Sequence, residues 1–474
     1  MTGPSRLLTN DVLDTRFRSA LARLAKDGRL DTCTREIDPD LELASVMKAL
    51  DGGSALLFPK VRGHAGAVVG NLLSCQANCE SAFGADFRAI RGFVERAIDN
   101  PLPPRLVASA PAQDVVLREF DIREVLPALR HAPADAGRFV TAGILIVRDP
   151  ETGVYNASYH RLQLHGPDRL GVKLDFGRHL RLAYERAKAR GENLPVAVVL
   201  GADLALHFTA ATMGSQMPEG SDEMAVAGGL SGAALPVVQA ITQPLVVPAE
   251  AEFIMEGEIL TGEDAQEGPF GEFIGFMAPA APAPVLKLSA VTHRRDPIYP
   301  AINGYGRETI MLRKYVLEAS LLKVLRSAIP IVVDAEMTAG GLHRFHAIVQ
   351  VKKQMTQHEG LQRNAILASF GALKDLDYVV VVDEDIDIRD PLDVEYALAT
   401  RMEASRDLIV IPGARGHEYV RAGNNGIRAK FGIDATVPFE EKHRFARVAF
   451  APVEREAGLF TSDPAAAEAV LGRT

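Results

Sequence analysis

Three groups of polar residues near the middle of this chain have types and spacings that could do chemistry. The run Tyr155-Asn156-Ala157-Ser158-Tyr159-His160-Arg161 follows the apolar stretch Ile144–Val147 and a turn at Asp149–Gly153. Read as a strand, alternate residues share a face. Asn156, Ser158 and His160 then point one way, and Arg161 points the other unless the chain bends. A guanidinium can grip a carboxylate through two parallel hydrogen bonds, which suits an acid substrate. The run Glu267-Gly268-Pro269-Phe270-Gly271-Glu272 sets two carboxylates around a tight turn that can bring both toward one cavity. Partial burial of either acid there would raise its pKa and make it a proton donor near neutral pH. His179, at the start of a predicted helix Arg178–Arg190, and Glu223, in a predicted loop 220–223, add an imidazole and a carboxylate. With the Asn156 amide oxygen, three separate segments could hold a hard or borderline cation. Taken singly, each has a plainer reading: a surface arginine, an acidic hairpin loop, a solvated charge. His343, Arg344 and His346, and His160 and His165 on either side of Arg161, are further candidates to reach a substrate substituent. A solvated strand or hairpin explains the first three equally well.

The elements that must position these groups divide the chain. At 474 residues it is too long for one hydrophobic core. Phe17, Leu21 and Leu24 recur at helical spacing and Gly28 ends that helix. An N-terminal α/β domain is expected over 1–112, closed by a proline-rich stretch. Over 113–310, short β-rich runs between Gly and Pro turns predict a barrel or sandwich core. Leu312, Val316, Leu317, Leu321, Val324 and Leu325 predict a connecting helix over 311–328. From 329 to 474, strands and helices alternate, as in a smaller α/β domain. The expected fold class is therefore α+β and multidomain.

Charge and composition exclude several classes. A net charge of −9 and the lack of a dense basic block argue against nucleic acid. No apolar run reaches the ~20 residues that span a bilayer, and the first residues lack a signal-like apolar core. Cys33, Cys75 and Cys79 are too few for a disulfide framework and read as reduced thiols, so a cytoplasmic location is expected.

The same motifs give the chain a family likeness. It resembles the UbiD-like decarboxylases over nearly its full length. The N-x-S/G-x-x-R pattern is present as Asn156, Ser158 and Arg161, and E-G-P-F-G-E as Glu267 to Glu272. Val291–Tyr299, Val379–Ile388 and the K-x-G-x-D-A-T-like Lys430–Thr436 follow in the family's order. The resemblance implies a central split β-barrel that binds prenylated FMN (prenyl-FMN) and a C-terminal domain that caps the site and associates into dimers or hexamers. It implies that Asn156, His179 and Glu223 coordinate manganese or magnesium against the cofactor phosphate, and that Arg161, Glu267 and Glu272 form the catalytic network. Ser158, Tyr159, His160 and Arg178 would line the flavin. So would Met213, Gly214 and Ser215, in a loop that also binds a monovalent cation such as potassium. Lys430 would reach the cofactor phosphate. The loop Met213–Met217 departs from relatives that act on acrylic acids, which often carry small residues and proline there.

The implied reaction is reversible decarboxylation of an aromatic, heteroaromatic or α,β-unsaturated acid. Arg161 would orient the carboxylate, Glu272 would donate the proton, and Glu267 would tune the network. A flavin prenyltransferase would supply the cofactor. Two other readings are a flavin-binding hydrolase or oxidoreductase on a similar barrel, and a non-catalytic or cofactor-carrying subunit of a larger carboxylase. The presence of Arg161, Glu267 and Glu272 together counts against the second of these.

Overall fold

Phe17, Ala20, Leu21 and Leu24 fall on one buried face of the helix Phe17–Lys26, and Gly28 leaves it at φ 66°. The computed structural model describes residues 12–175, 178–212, 217, 220–423, 425–450 and 463–472. The first sheet has the order Leu30–Thr32, Ala55–Phe58, Ala67–Gly70, Ile298–Ala301. Its last strand comes from the middle of the chain, so the N-terminal layer is not built from residues 1–112 alone. This splice is invisible to a reading of local pattern, because the pairing of Ile298–Ala301 with Ala67–Gly70 spans more than 200 residues.

The central sheet runs Phe139–Val140, Leu162–Leu164, Arg169–Val172, Ala281–His293, Phe253–Glu267, Leu194–Leu200, Ile144–Arg148, Tyr155–Tyr159. Val115–Leu117 pairs with the long strand Ala281–His293. Tyr155–Tyr159 ends the order on one side, while Leu162–Leu164 stands second from the other. A flat sheet would hold these strands six spacings apart, or ~29 Å. Only His160 and Arg161 join them, and three residue steps cover at most ~11 Å. The sheet must therefore curl until its ends approach, which gives the half-closed barrel expected. The His160 amide donates to the Gly143 carbonyl at 3.2 Å, which carries the pairing of Tyr155–Tyr159 with Ile144–Arg148 one step further, up to the bend.

The helix Arg307–Ala328 begins four residues before the expected start at 311. Met311, Leu312, Tyr315 and Val316 pack into the core shared by the first two sheets. Leu321, Leu322 and Leu325 pack into the C-terminal core. One rod ~33 Å long thus belongs to both halves of the molecule. The C-terminal sheet has the order Val332–Met337, His346–Val351, Tyr378–Asp383, Ile427–Ala435, Leu408–Arg415. Its first strand starts at Val332, and Ile329 before it caps the long helix.

Two helices beside the site, Leu204–Ala210 and Glu223–Ser231, were not anticipated. Both are buried nearly all round, so neither has the polar face that signals a helix in sequence. Glu223–Ser231 is capped by Asp222, whose carboxylate accepts from the Met224 and Ala225 amides. Gly229 is required in it: a Cβ there would stand 2.4 Å from the Asn100 carbonyl oxygen. All three cysteines are free thiols. Among the described residues no helix is long and apolar enough to cross a membrane.

Candidate active site

Arg161 sits at the bend between the two ends of the curled sheet, which turns its side chain inward despite its parity on the preceding strand. Its Nε and Nη2 donate to Glu267 Oε1 and Oε2 at 2.6 and 2.8 Å, and Nη1 donates to Glu272 Oε1. Lys173 Nζ lies 3.4 Å from the same Glu272 oxygen. Burial works against the Arg161 charge, but the two carboxylates outweigh it and raise its pKa. Glu267 ends the strand Phe253–Glu267 with its side chain 2 % exposed, while Glu272 is 17 % exposed.

The turn between the two acids is pinned from outside. Gln163 Oε1 accepts from the Gly268 amide at 2.8 Å, and Asp135 Oδ1 accepts from the Gly271 amide at 3.1 Å. The Phe270 ring lies under the Arg161 guanidinium, 4.9 Å from its carbon. Gly304 packs so tightly on this turn that a Cβ would stand 2.3 Å from the Gly271 carbonyl oxygen.

A cavity of about 680 Å³ opens in front of Arg161, between the central sheet and the C-terminal domain. Tyr159, His160, Arg161, Arg178 and Glu272 line it from the barrel side. A recess of about 70 Å³ adjoins it and shares Tyr159, His160, Asp175, Arg178, Ala211 and Arg313. Asn156, His179 and Glu223 all line this recess. Asn156 Nδ2 donates to Glu223 Oε1, and the Ala157 amide donates to Oε2, each at 2.9 Å. Burial nevertheless pushes the Glu223 carboxyl up to about 8.

This donor set fits a divalent cation. A buried carboxylate held near neutrality is stabilised in its charged form by a metal. The Asn156 amide nitrogen is committed to Glu223, which leaves Oδ1 to coordinate. Ser158 Oγ stands 3.2 Å from both Asn156 Oδ1 and His160 Nε2. The His160 Nδ1 faces the Lys173 carbonyl at 3.1 Å and must donate to it, so Nε2 is an acceptor. One hydroxyl proton thus serves two acceptors, and a cation on Oδ1 would resolve the conflict. Among the described residues no three His, Cys, Asp or Glu side chains group at metal-binding range. An amide ligand would complete the set here.

The remaining sequence candidates divide. The Tyr159 hydroxyl is tied to His207 Nδ1, and burial holds the imidazole down at about 4. Arg178 lines both cavities. Met213, Gly214 and Ser215 lie outside the described residues. Lys430 is not brought to the site. Its strand is interior to the C-terminal sheet, its ammonium donates to the Lys374 carbonyl at 2.7 Å, and it lines neither cavity. Of the 343–346 cluster only Arg344 faces the large cavity. His343 is buried with Nδ1 at the Met337 carbonyl, and His346 stacks on Tyr378. His165 lines neither cavity. Lys173, Asp175, Arg313, Phe273, His417 and Tyr419 do line the large one and were missed. None carries a local motif, since loops and a helix distant in sequence bring them together.

Comparison with known proteins places the whole chain in a family. Residues 21–97, 105–306 and 310–435 match the N-terminal, Rift-related and C-terminal domains of 3-octaprenyl-4-hydroxybenzoate carboxy-lyase, UbiD. The chain is 35 % identical over 433 residues to anhydromevalonate phosphate decarboxylase of Methanosarcina mazei, covering 91 % of this chain and 98 % of that one. It is 31 % identical over 455 residues to gallate decarboxylase of Lactiplantibacillus plantarum, covering 88 % and 93 %. The UbiD-class enzyme HmfF from Pelotomaculum thermopropionicum, solved with FMN, superposes with a TM-score of 0.87 at 38 % identity, covering 92 % and 97 %. The apo 3,4-dihydroxybenzoic acid decarboxylase of Enterobacter cloacae also gives 0.87, at 31 % identity, covering 93 % and 98 %. With all three domains matched in order, the chain belongs to the UbiD family of carboxy-lyases.

Proposed function

We propose that this chain decarboxylates an aromatic or otherwise conjugated carboxylic acid in a reaction that depends on prenyl-FMN and a divalent cation. The observation that carries the reading is Arg161 held between Glu267 and Glu272 on the wall of a cavity that adjoins the Asn156–His179–Glu223 recess. Relatives named for FMN or prenyl-FMN complexes and for decarboxylation of gallate and 3,4-dihydroxybenzoate support it. Prenyl-FMN, when bound, supplies an electron sink for the charge left at an sp² carbon when carbon dioxide departs, a task no side chain performs. Asn156, His179 and Glu223 would hold manganese or magnesium at the cofactor phosphate, with Ser158, Tyr159, His160 and Arg178 along the cofactor. The loop of Met213, Gly214 and Ser215 would complete that lining and take potassium.

The chain's own groups divide the remaining work. Three of the five Arg161 N–H donors serve the two glutamates. Two remain to orient the substrate carboxylate. Glu267 is buried and doubly bonded to the guanidinium, which holds it in place behind Arg161. Glu272 has one bond to Arg161 and more exposure. Its Oε2 meets no hydrogen-bond partner among the described residues, and this oxygen would pass a proton to the substrate carbon. A cofactor-carrying subunit would have no use for this set.

The test is carbon dioxide release from a panel of aromatic and acrylic acids by protein loaded with cofactor and manganese, compared with Glu272→Gln. Loss of ~10²-fold or more in turnover with full cofactor content is expected. Full activity in Glu272→Gln would remove the proton-donor role.

Self-association is part of the same reading. His346, Tyr378 and Phe431 stack across the C-terminal sheet, and Val410 continues the row at 58 % exposure. Exposed apolar side chains on an outer strand favour pairing with a second copy.

A further inference from the structure

The large cavity holds more positive charge than its carboxylates can balance. Its lining includes Arg161, Lys173, Arg178, Arg313, Arg344, Lys374 and Arg415 against Asp175, Glu272, Asp375 and Glu418. Counting Glu267 behind Arg161, two cations remain in excess. The excess is localised. Arg161 and Lys173 answer the glutamates, and Arg344 binds Asp375 Oδ2 through Nε and Nη2 at 2.7 and 2.6 Å. Among the described residues, Arg178 and Arg313 meet no hydrogen-bond or ion-pair partner. Burial, followed by repulsion from Arg344 and Arg178, disfavours the charge on Arg313. A guanidinium left in that state is stabilised by an anion.

Arg313 and Arg344 come from different elements, the long helix and the 338–346 turn. Both stand over one ring, with their guanidinium carbons 6.0 and 5.3 Å from the centre of Phe273. Phe273 follows Glu272 directly, so this ring ties the two arginines to the catalytic turn. His417 packs edge-on to the same ring at 5.8 Å. Its Nδ1 accepts from the Tyr419 amide, which leaves the neutral ring's proton on Nε2 as a further donor.

We propose that Arg313 and Arg344, with Arg178 beside them, form a second anion site in the large cavity, and that the acid handled here is planar with a second carboxylate. This rests on the decarboxylase reading above. Arg161 takes the carboxylate that leaves, and the arginine pair takes the one that stays. The Phe273 ring gives the body of the substrate an apolar support between them. The cofactor phosphate is the other anion this chemistry could serve. Arg178 and Arg313 line the Asn156–Glu223 recess as well, whereas Arg344 and His417 line the large cavity alone, so Arg344 and His417 turn the pair toward the substrate side.

The experiment is titration calorimetry of the full chain loaded with FMN, using terephthalate, isophthalate and benzoate as probes, on the parent protein and on Arg313→Met and Arg344→Gln. Arg313→Met strands no carboxylate, so it guards against a folding defect in Arg344→Gln, which leaves Asp375 alone. At least one dicarboxylate binding 10-fold or more tighter than benzoate is expected. Each substitution should bring that ratio near one with flavin content unchanged. Equal binding of all three probes by the parent would overturn the site. So would variants that lose FMN while the ratio persists, which would give the cluster to the cofactor phosphate. Tight dicarboxylate binding without carbon dioxide release after prenyl-FMN loading would keep the anion site and remove the decarboxylation reading.

Discussion

Arg161 illustrates how one side chain sets the roles of two others. Glu267 receives two of its donors and is sealed, while Glu272 receives one and faces the cavity. The residue types and the order of this trio were legible in the sequence. Its geometry was not, because alternation along a strand put Arg161 on the wrong face. The bend at His160–Arg161 exists only because the sheet curls.

Other buried groups have effects of their own. Burial holds His131, His207, His343 and His346 at about 4. Their neutral forms stabilise the fold above the unfolded histidine value near 6.5, and that contribution is lost as pH falls toward 4. Glu308 and Glu223 are pushed up to about 8 and Glu336 to about 7, each chiefly by burial. Their contribution is complete below the ordinary glutamate value and is lost as pH rises through those raised values. With His417, which burial holds down at about 3, five such histidines outnumber these three glutamates on the acid side, and just above neutrality the glutamates dominate the change. The thermal midpoint is therefore expected to peak near neutral pH and fall on both sides. The slope is about 1.4 kcal/mol per pH unit for each proton exchanged on unfolding. Calorimetry across this range checks it, and Glu308→Gln should flatten the alkaline limb. A midpoint that climbs steadily with pH would contradict the assignment.

Among the elements, the turn that carries Glu272 is the most constrained. Gln163, Asp135 and the close approach of Gly304 all fix it. Gly304→Ala should push the Gly271 carbonyl and the Phe270 ring away and displace Glu272 from Arg161. A misplacement of ~1 Å can cost ~10²-fold in rate. Turnover should fall by at least ~10-fold with cofactor content unchanged. Unaltered turnover would mean the turn relaxes without moving the acid. The turn was read correctly from its Gly and Pro content. The long helix was found from its apolar periodicity, although it begins at Arg307. The helices carrying Phe208 and Glu223 escaped because burial on all sides removes the periodic signal, so Glu223 was expected in a loop and instead opens a helix.

At the scale of the whole molecule, the trio Arg161, Glu267 and Glu272 belongs to one domain and much of the cavity wall to another. Tyr419 donates to Asp175 at 3.2 Å across the cleft, and Arg421 donates to the Met277 carbonyl at 3.0 Å. The alternation of strands and helices in the C-terminal region was legible in the sequence, whereas Arg313, Arg344 and His417 become neighbours only after distant segments dock. The exposed Val410 and Phe431 on the C-terminal sheet give a prediction at this scale. The parent chain should elute as a dimer or larger assembly by light scattering, and Val410→Lys with Phe431→Lys should reduce it to a monomer. A parent that is already monomeric at micromolar concentration would exclude association through this face.

The most direct test of the central reading is the mass of the cofactor released from this protein after production with a flavin prenyltransferase and manganese. The account predicts prenyl-FMN, retained by the parent chain and lost from a Glu223→Ala variant. Release of unmodified FMN alone, or of no flavin, would contradict it.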